Sequence, residues 1–514
     1  MTLRGQVADE TRFQVLQNVG LPAIDEGLIE REARLIQDRA GGSGVRSASG
    51  RIVVKFRDDT AMPERQAAVR AVSATGEIAV RASYADFDIV RLDAAEDAEA
   101  AAGVLRQRPE VEYAQVSHRF HALLIPNDPL YQPQQWNLPL INMEKAWDIQ
   151  PQAGSAITVA VIDTGIAYQN ATITATLSAF RDRAGRVYPA LGRVTIPYSA
   201  APQLVSATTT GRIVAPHDFV NETTTPLDFE GHGTHVSGTI GQLTNDAIGT
   251  AGVAYNVKLM PVKVLASEWD LLFAGFTNIA NTGGSDDDVA RGIRYAADNG
   301  AKIMNMSLGS SGPPDCATRP NQADCSPVIE AAMRYAVGKG CFIVVAGGNE
   351  FEDTVPPYGK NPTSVLAEIA SRIAGVVSVA SVDKDKGHAF YSSSGSYIEL
   401  SAPGGSSRTV PARGVVQQTF DSNFTDTFLL APALFRAPRF DVMGYFAYQG
   451  TSMAAPHVAG VAAMLMQQGI TDPAVIEEIL EKTAVDLGTP GRDNTFGFGL
   501  VDARAALRGL GLAK

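Results

Sequence analysis

DDDVARGIRYAADNGAKIMNMSLG (286–309) contains the alternation that decides the fold. Residues 286–300 are amphipathic at helical spacing and stop at a glycine, and the run that follows opens as a fully apolar strand. The same kind of strand recurs as ITVAVID (157–163), VKLMPVKVL (257–265), CFIVVAGGN (341–349) and VVSVAS (376–381), with a second amphipathic helix, SPVIEAAMRYAVGKG, at 326–340. Strands that are apolar on both faces and separated by helices imply a mostly parallel sheet covered on each side, a three-layer α/β/α arrangement. In such sheets functional groups gather where the strands end. Two stretches break the rhythm: 167–227, rich in Thr, Ala and Pro, and 406–447, irregular with scattered aromatics. Both read as loop elaborations.

Toward the N-terminus the pattern changes. GRIVVKF (50–56), DFDIVRLD (86–93) and VEYAQVSHRF (111–120) read as strands, and 62–74 and 94–110 as helices, which makes a small α+β unit. Residues 1–49 form a polar leader ending in the flexible GGSGVRSASG, and 121–514 form the large domain. A chain of 514 residues with 45% hydrophobic and 19% charged side chains accommodates two such units. The net charge of −12 argues against a nucleic-acid partner, which requires a basic face. No apolar run is long enough to span a bilayer, and the first twenty residues lack the apolar core of a secretory signal, so either the protein stays inside the cell or a signal precedes the sequence. Cys316 and Cys325 share a short Pro/Asp/Ser-rich loop that a disulfide can close in an exported protein, whereas Cys341 lies in an apolar strand as a buried thiol.

Four polar residues interrupt these apolar segments. Asp163 ends ITVAVID, where an acid either forms a turn or orients a neighbour. His232 sits between Gly231 and Gly233 ahead of a helix of small residues, and imidazole is the side chain that takes and returns a proton near neutrality. His235, three residues on, makes a poor zinc pair without a third ligand and reads as structural, bonded within its helix. Ser452 opens the helix TSMAAPHVAGVAAMLMQQ, with Pro456 expected in its first turn; there a serine is either an N-cap or a hydroxyl aimed out of a buried helix beside free N–H groups. Asn349 follows two glycines at a strand end, as a turn residue or as a donor into the same cleft.

Taken together, VAVIDTGI, GHGTHVSG, VVAGGN and GTSMAAPHVAG resemble the Asp, His, Asn and Ser signatures of the subtilisin-like serine proteases, in that family's order. The likeness runs from about Asn127 to Ala505 and includes MNMSLG, YSSSGSYIELSAPG and FGFGLVDARAAL. It implies a serine endopeptidase in which Ser452 is the nucleophile, His232 the general base, Asp163 its partner and Asn349 an oxyanion donor. GTSMA is not the Gly-x-Ser-x-Gly elbow of α/β-hydrolases, and His232 and Asn349 separate the chain from sedolisins, which carry Glu and Asp there.

The resemblance implies more. Ser307, Leu308 and Gly309 would pair with the substrate backbone, and Ala346, Gly347 and Gly348 would wall a roomy S1 pocket of broad specificity, with Glu350 either a rim acid that admits basic as well as large apolar side chains or a solvated surface residue. A structural calcium ion would use Asp128, the Asp246 side chain and the carbonyls of Thr244, Ile248 and Thr250. The family's further Asp after the catalytic one is missing, since DTGIAYQNATI offers only Asn170 and Thr172. The unit at 50–120 resembles the ferredoxin-like inhibitory prodomain of subtilases, an intramolecular partner alongside protein substrates. The expected enzyme is a monomer, secreted or in the cell envelope, autoprocessed from its precursor. The alternatives are a subtilisin-fold binding protein that has lost its chemistry, and an esterase or peptide ligase on the same scaffold.

Overall fold

The structure, a computed structural model, describes residues 47–79, 85–93, 96–118, 125–205, 211–280, 282–313, 325–407 and 413–509. The chain divides into two compact units, Met1–His121 and Ala122–Lys514.

In the first unit a four-stranded antiparallel sheet runs Glu77–Ile78, Asp88–Arg91, Ser47–Phe56, Val111–His118. Helices Met62–Arg70 and Ala98–Arg106 complete a βαββαβ order, the ferredoxin-like topology. Ile52, Val54, Phe56, Val69, Leu105 and Val111 form its core. The first strand begins at Ser47, so the leader expected up to residue 49 is shorter by its last residues.

The second unit is built on a seven-stranded sheet, parallel throughout, in the order His217–Asp218, Lys258–Lys263, Thr158–Asp163, Ile303–Met306, Phe342–Ala346, Val376–Val382, Leu400–Pro403. Strand Thr158–Asp163 shows why the sheet needs two covers. Val159 and Val161 enter one core with Val236, Ile240 and the helix Thr451–Gln467, while Ala160 and Ile162 enter another with Ile293, Ala296 and Met333 of the helices on the opposite face. Both faces of the strand are removed from water, each valine or isoleucine contributing roughly 1.5–3 kcal/mol on burial. The first strand of this sheet along the chain, Thr158–Asp163, lies between later strands on either side, so the order reverses there and Asp163 ends at the switch point.

The two stretches read as loop elaborations contain paired β structure. Ala171–Leu177 pairs antiparallel with Gly192–Tyr198, and Val415–Phe420 with Met443–Tyr448. The alternation in ATITATL is matched by side chains that alternate between half-buried and exposed. Val415–Phe420 is buried along its whole length, including Gln417, Gln418 and Thr419, whose polar atoms find partners across the core. Those polar residues hid a buried strand from a reading based on hydrophobicity.

Cys325 is disulfide-bonded and Cys341 is a buried free thiol, while Cys316 lies outside the described residues. Among the described residues no helix is long and apolar enough to cross a membrane.

Candidate active site

Asp163 is fully buried at its strand end, and its Oδ1 accepts from Thr164 N at 2.7 Å. His232 is the first residue of helix His232–Gly241, and its Nδ1 lies 2.7 Å from the same Asp163 oxygen. That contact fixes the ring with Nδ1 protonated and leaves Nε2 as the acceptor of the neutral ring; about a fifth of the side chain stays exposed. Burial disfavours the imidazolium, but the Asp163 carboxylate bonded to it, with Glu230 and Asp228 nearby, outweighs burial and raises the ring to about 9.

Ser452 is the second residue of helix Thr451–Gln467, in which every residue except Ser452 and Gln467 is buried. Pro456 sits in the second turn of this helix, not in the first as expected. It cannot donate to the carbonyl four residues back, which is that of Ser452. The Ser307 hydroxyl takes over that role, donating to Ser452 O at 2.8 Å, while Ser452 Oγ donates to Ser307 O at 3.2 Å. Ser307 therefore braces the helix start as well as lying at a strand end. His457, in the same helix, is buried and neutral: its Nδ1 donates to Met453 O, and its Nε2 accepts from Asn137 Nδ2 at 2.8 Å.

Asn349 Oδ1 accepts from Thr451 N at 2.9 Å and from Thr451 Oγ1 at 3.0 Å. With its oxygen held on the helix N-terminus, the amide has Nδ2 as its remaining donor. No sequence pattern pointed to Thr451 as the group that orients it. A cavity of about 110 Å³ adjoins these residues, lined by Leu308, Gly309, Ala346, Gly348, Asn349 and Ser452, with Glu350 and Ser364 also on its wall. Gly347 is not part of the lining; a Cβ there would meet Val379 O at 2.9 Å, so its missing side chain serves packing against the sheet. Glu350 Oε2 accepts from Asn349 N at 2.8 Å.

His235 is buried, and its partners lie outside its own helix, not within it as expected. Its Nε2 lies 3.1 Å from both Val415 O and Phe446 O, and its ring stacks on Tyr448 at 4.3 Å. The antiparallel ribbon overlooked in the sequence thus backs the helix that carries His232.

Of the residues expected to hold calcium, Asp128 meets the loop that carries Asp246. Asp128 Oδ2 accepts from Asn245 N at 2.7 Å, and Asp246 Oδ1 accepts from Ile248 N at 3.0 Å. Asp128 Oδ1 is buried without a hydrogen-bond partner, and burial raises this carboxyl to about 6. Gln203, from the stretch read as a loop, donates to Asp246 Oδ2 at 3.1 Å and has a buried, unpartnered Oε1. Nothing in the sequence placed it there.

A sequence profile of the Subtilase family matches residues 154–499, and one of the fervidolysin N-terminal prodomain matches residues 37–117. The thermophilic serine proteinase of Bacillus sp. (strain AK1) is 28% identical over 89% of this chain and 87% of its own length. The extracellular protease of Xanthomonas campestris pv. campestris is 30% identical over 86% of this chain and 67% of its own. Among solved structures, a lanthipeptide protease superposes with a TM-score of 0.51 over 76% of this chain and 99% of its own at 22% identity, a likeness of fold alone.

Proposed function

The chain belongs to the subtilase family of serine endopeptidases and carries a prodomain of the fervidolysin type, and from that premise we propose that Asp163, His232 and Ser452 are its catalytic triad and Asn349 its oxyanion donor. The observation that carries the reading is the 2.7 Å contact between His232 Nδ1 and Asp163 Oδ1, made beside a helix start that shares its cavity wall with Asn349. The Ser452 hydroxyl turns from Ser307 O to His232 Nε2, which takes its proton as Oγ attacks the scissile carbonyl carbon. Asp163 stabilises the imidazolium so formed, and the proton then goes to the leaving amine. The carbonyl oxygen, now negative, is held by Asn349 Nδ2 and Ser452 N–H. Water repeats the sequence on the acyl-enzyme. Substrate backbone pairs alongside Ser307, Leu308 and Gly309, which reads little of the sequence and gives broad specificity. The purified chain is expected to digest casein and to lose that activity when a sulfonyl fluoride modifies Ser452; no digestion by any form of it overturns the reading.

Asn349→Leu removes the donor while nearly keeping the volume. It is expected to lower kcat by about 100-fold or more, roughly 2.7 kcal/mol of barrier, with KM little changed, because the bond matters mainly in the transition state. Steady-state kinetics on a peptide anilide check this, and an unchanged kcat makes Asn349 a turn residue only.

The unpartnered buried Asp128 Oδ1 and the adjoining Asp246 fit a hard cation, which takes oxygen ligands at 2.3–2.6 Å in proteins generally. Asp128, Asp246 and the carbonyls of Thr244, Ile248 and Thr250 are the residues that would hold calcium, whose contribution is to tie the loop at 244–250 to the segment at 128. Chelation is expected to lower the melting temperature by several degrees, and Asp246→Asn to abolish that dependence. The Asp128 carboxyl is raised, so protons compete with the ion and the calcium effect fades as pH falls below about 6. A melting temperature indifferent to chelator refutes the site.

The disulfide at Cys325 and the extracellular relative support an enzyme that works outside the cytoplasm, secreted or in the cell envelope.

A further inference from the structure

Behind Asp163 and His232 lies a carboxylate that the triad chemistry does not use. Asp228 is fully buried, and both of its oxygens are occupied: Oδ1 accepts from Thr164 Oγ1 at 3.0 Å, Glu230 N at 3.0 Å and Gly231 N at 2.8 Å, and Oδ2 from Thr234 N at 2.9 Å and Thr234 Oγ1 at 2.6 Å. These donors belong to different pieces of the site. Thr164 follows Asp163, and its own N–H donates to Asp163 Oδ1. Gly231 caps the helix that begins with His232, and Thr234 lies in its first turn. Thr164 Oγ1 also accepts from Gly233 N at 2.9 Å, so one hydroxyl joins the residue after Asp163, Asp228 and the residue after His232.

The two loops meet backbone to backbone. A Cβ on Gly233 would come 2.1 Å from Gly165 O, and one on Gly165, at φ +105°, would come 2.6 Å from Pro226 O. At such a contact the distance from Asp163 to His232 is set by whatever fixes the loops together: Gly233 N to Thr164 Oγ1 and Ala167 N to Thr234 Oγ1 join them directly, and Asp228 accepts from both of those hydroxyls. Its own place is fixed in turn: Asp228 N and O both bond Tyr198 OH, and the buried Lys263 ammonium donates to Leu227 O at 2.8 Å.

We propose that Asp228 is a positioning residue of the peptidase reaction, locking the loop after Asp163 to the first turn of the His232 helix so that the imidazole is presented on its carboxylate in one geometry. The proposal rests on the triad reading above. An anion at a helix N-terminus that also satisfies that terminus's free N–H groups is stable there. Its charge acts on His232 together with Asp163 and Glu230, and favours the protonated ring. The other titratable groups facing this region are His235 in the next turn of the helix, Tyr198 and Tyr448 from the two ribbons, and Lys263 from the sheet, whose charge is paired with Asp270 at 2.7 Å.

Asp228→Asn keeps the shape but turns an NH2 toward groups that are all donors. In the full chain, with peptide anilide hydrolysis followed from pH 5 to 11, kcat is expected to fall about 100-fold with KM within about threefold, the loss typical of a reacting group displaced by about an ångström. The acid limb of the kcat profile is expected to move to lower pH, because a negative charge that favours imidazolium has gone. Thr164→Val, which keeps the side-chain shape and removes the shared hydroxyl, is expected to lose about tenfold, and Thr164→Ser to recover most of that. Thr164→Val and Thr164→Ser decide the matter if Asp228→Asn does not fold. A kcat within about twofold of the parent for Thr164→Val overturns the proposal. So does an Asp228→Asn chain that melts earlier but keeps both its kcat and its acid limb, since that is a structural role alone. If the parent chain itself hydrolyses no peptide, the triad reading has failed, a result separate from either of these.

Discussion

Replacing Ser452 with alanine is expected to abolish proteolysis, by at least about ten-thousand-fold, and to leave the chain folded and uncut. The reason lies in the packing. The helix Thr451–Gln467 is held by its buried side chains, by Asn349 Oδ1 at its first N–H and by the Ser307 hydroxyl at Ser452 O; none of these requires Ser452 Oγ. The one hydrogen bond lost, from Ser452 Oγ to Ser307 O at 3.2 Å, leaves an acceptor beside an open cavity that water can satisfy. Melting temperature should therefore change by little while casein digestion disappears. A Ser452→Ala chain that still digests casein refutes the nucleophile assignment, whereas one that fails to fold shows that the hydroxyl has a structural role.

The sequence revealed this much because the signal lay in periodicity and in short motifs. Fully apolar strands such as CFIVVAG announce a sheet covered on both faces, and the polar residue that ends each one stands out against them. Asp163 and Asn349 were visible for that reason, and His232 and Ser452 by the glycines before them. What stayed hidden is polar and buried. Gln417, Gln418 and Thr419 form a core strand through hydrogen bonds that no hydropathy pattern carries. His235 looked like a helix-internal residue because its partners, Val415 O and Phe446 O, are backbone atoms about 180 and 211 residues away. Asp228 offered one faint sign, an acid just ahead of a helix of small residues, which is where an anion meets unsatisfied N–H groups. Its bond to Thr164 crosses 64 residues and depends on the parallel sheet to bring the two loops together. The missing acid of the calcium pattern reads as a defect in DTGIAYQNATI. Yet Gln203, from a segment dismissed as a loop, stands against Asp246 with an unused oxygen.

A cut of the precursor by its own active site, between about Ser117 and Asn127, is the second large effect expected, and it should release a first unit that inhibits the enzyme. The last strand of that unit, Val111–His118, pairs with Ser47–Phe56, so the chain is extended up to His118. Residues 119–124 lie outside the described residues, and their sequence, RFHALL followed by IPND, carries no helical pattern. An extended segment is what a cleft that binds substrate by added-strand pairing accepts. Because the segment is joined to the domain that carries Ser452, its effective concentration reaches the millimolar range typical of short tethers, well above an outside substrate at micromolar levels. The cut should therefore be first order and independent of dilution. Its product should bind back, since the unit has its own core of Ile52, Val54, Phe56 and Leu105. Purified precursor diluted over a hundredfold range, with the new N-terminus sequenced, should give one rate constant and one site within Ser117–Asn127, and Ser452→Ala should give neither. The isolated 50–120 fragment, added back to the processed enzyme, should suppress peptide hydrolysis. If processing slows in proportion to dilution, the cut passes between molecules. If the fragment leaves the rate unchanged, the first unit is an accessory domain and not an inhibitor.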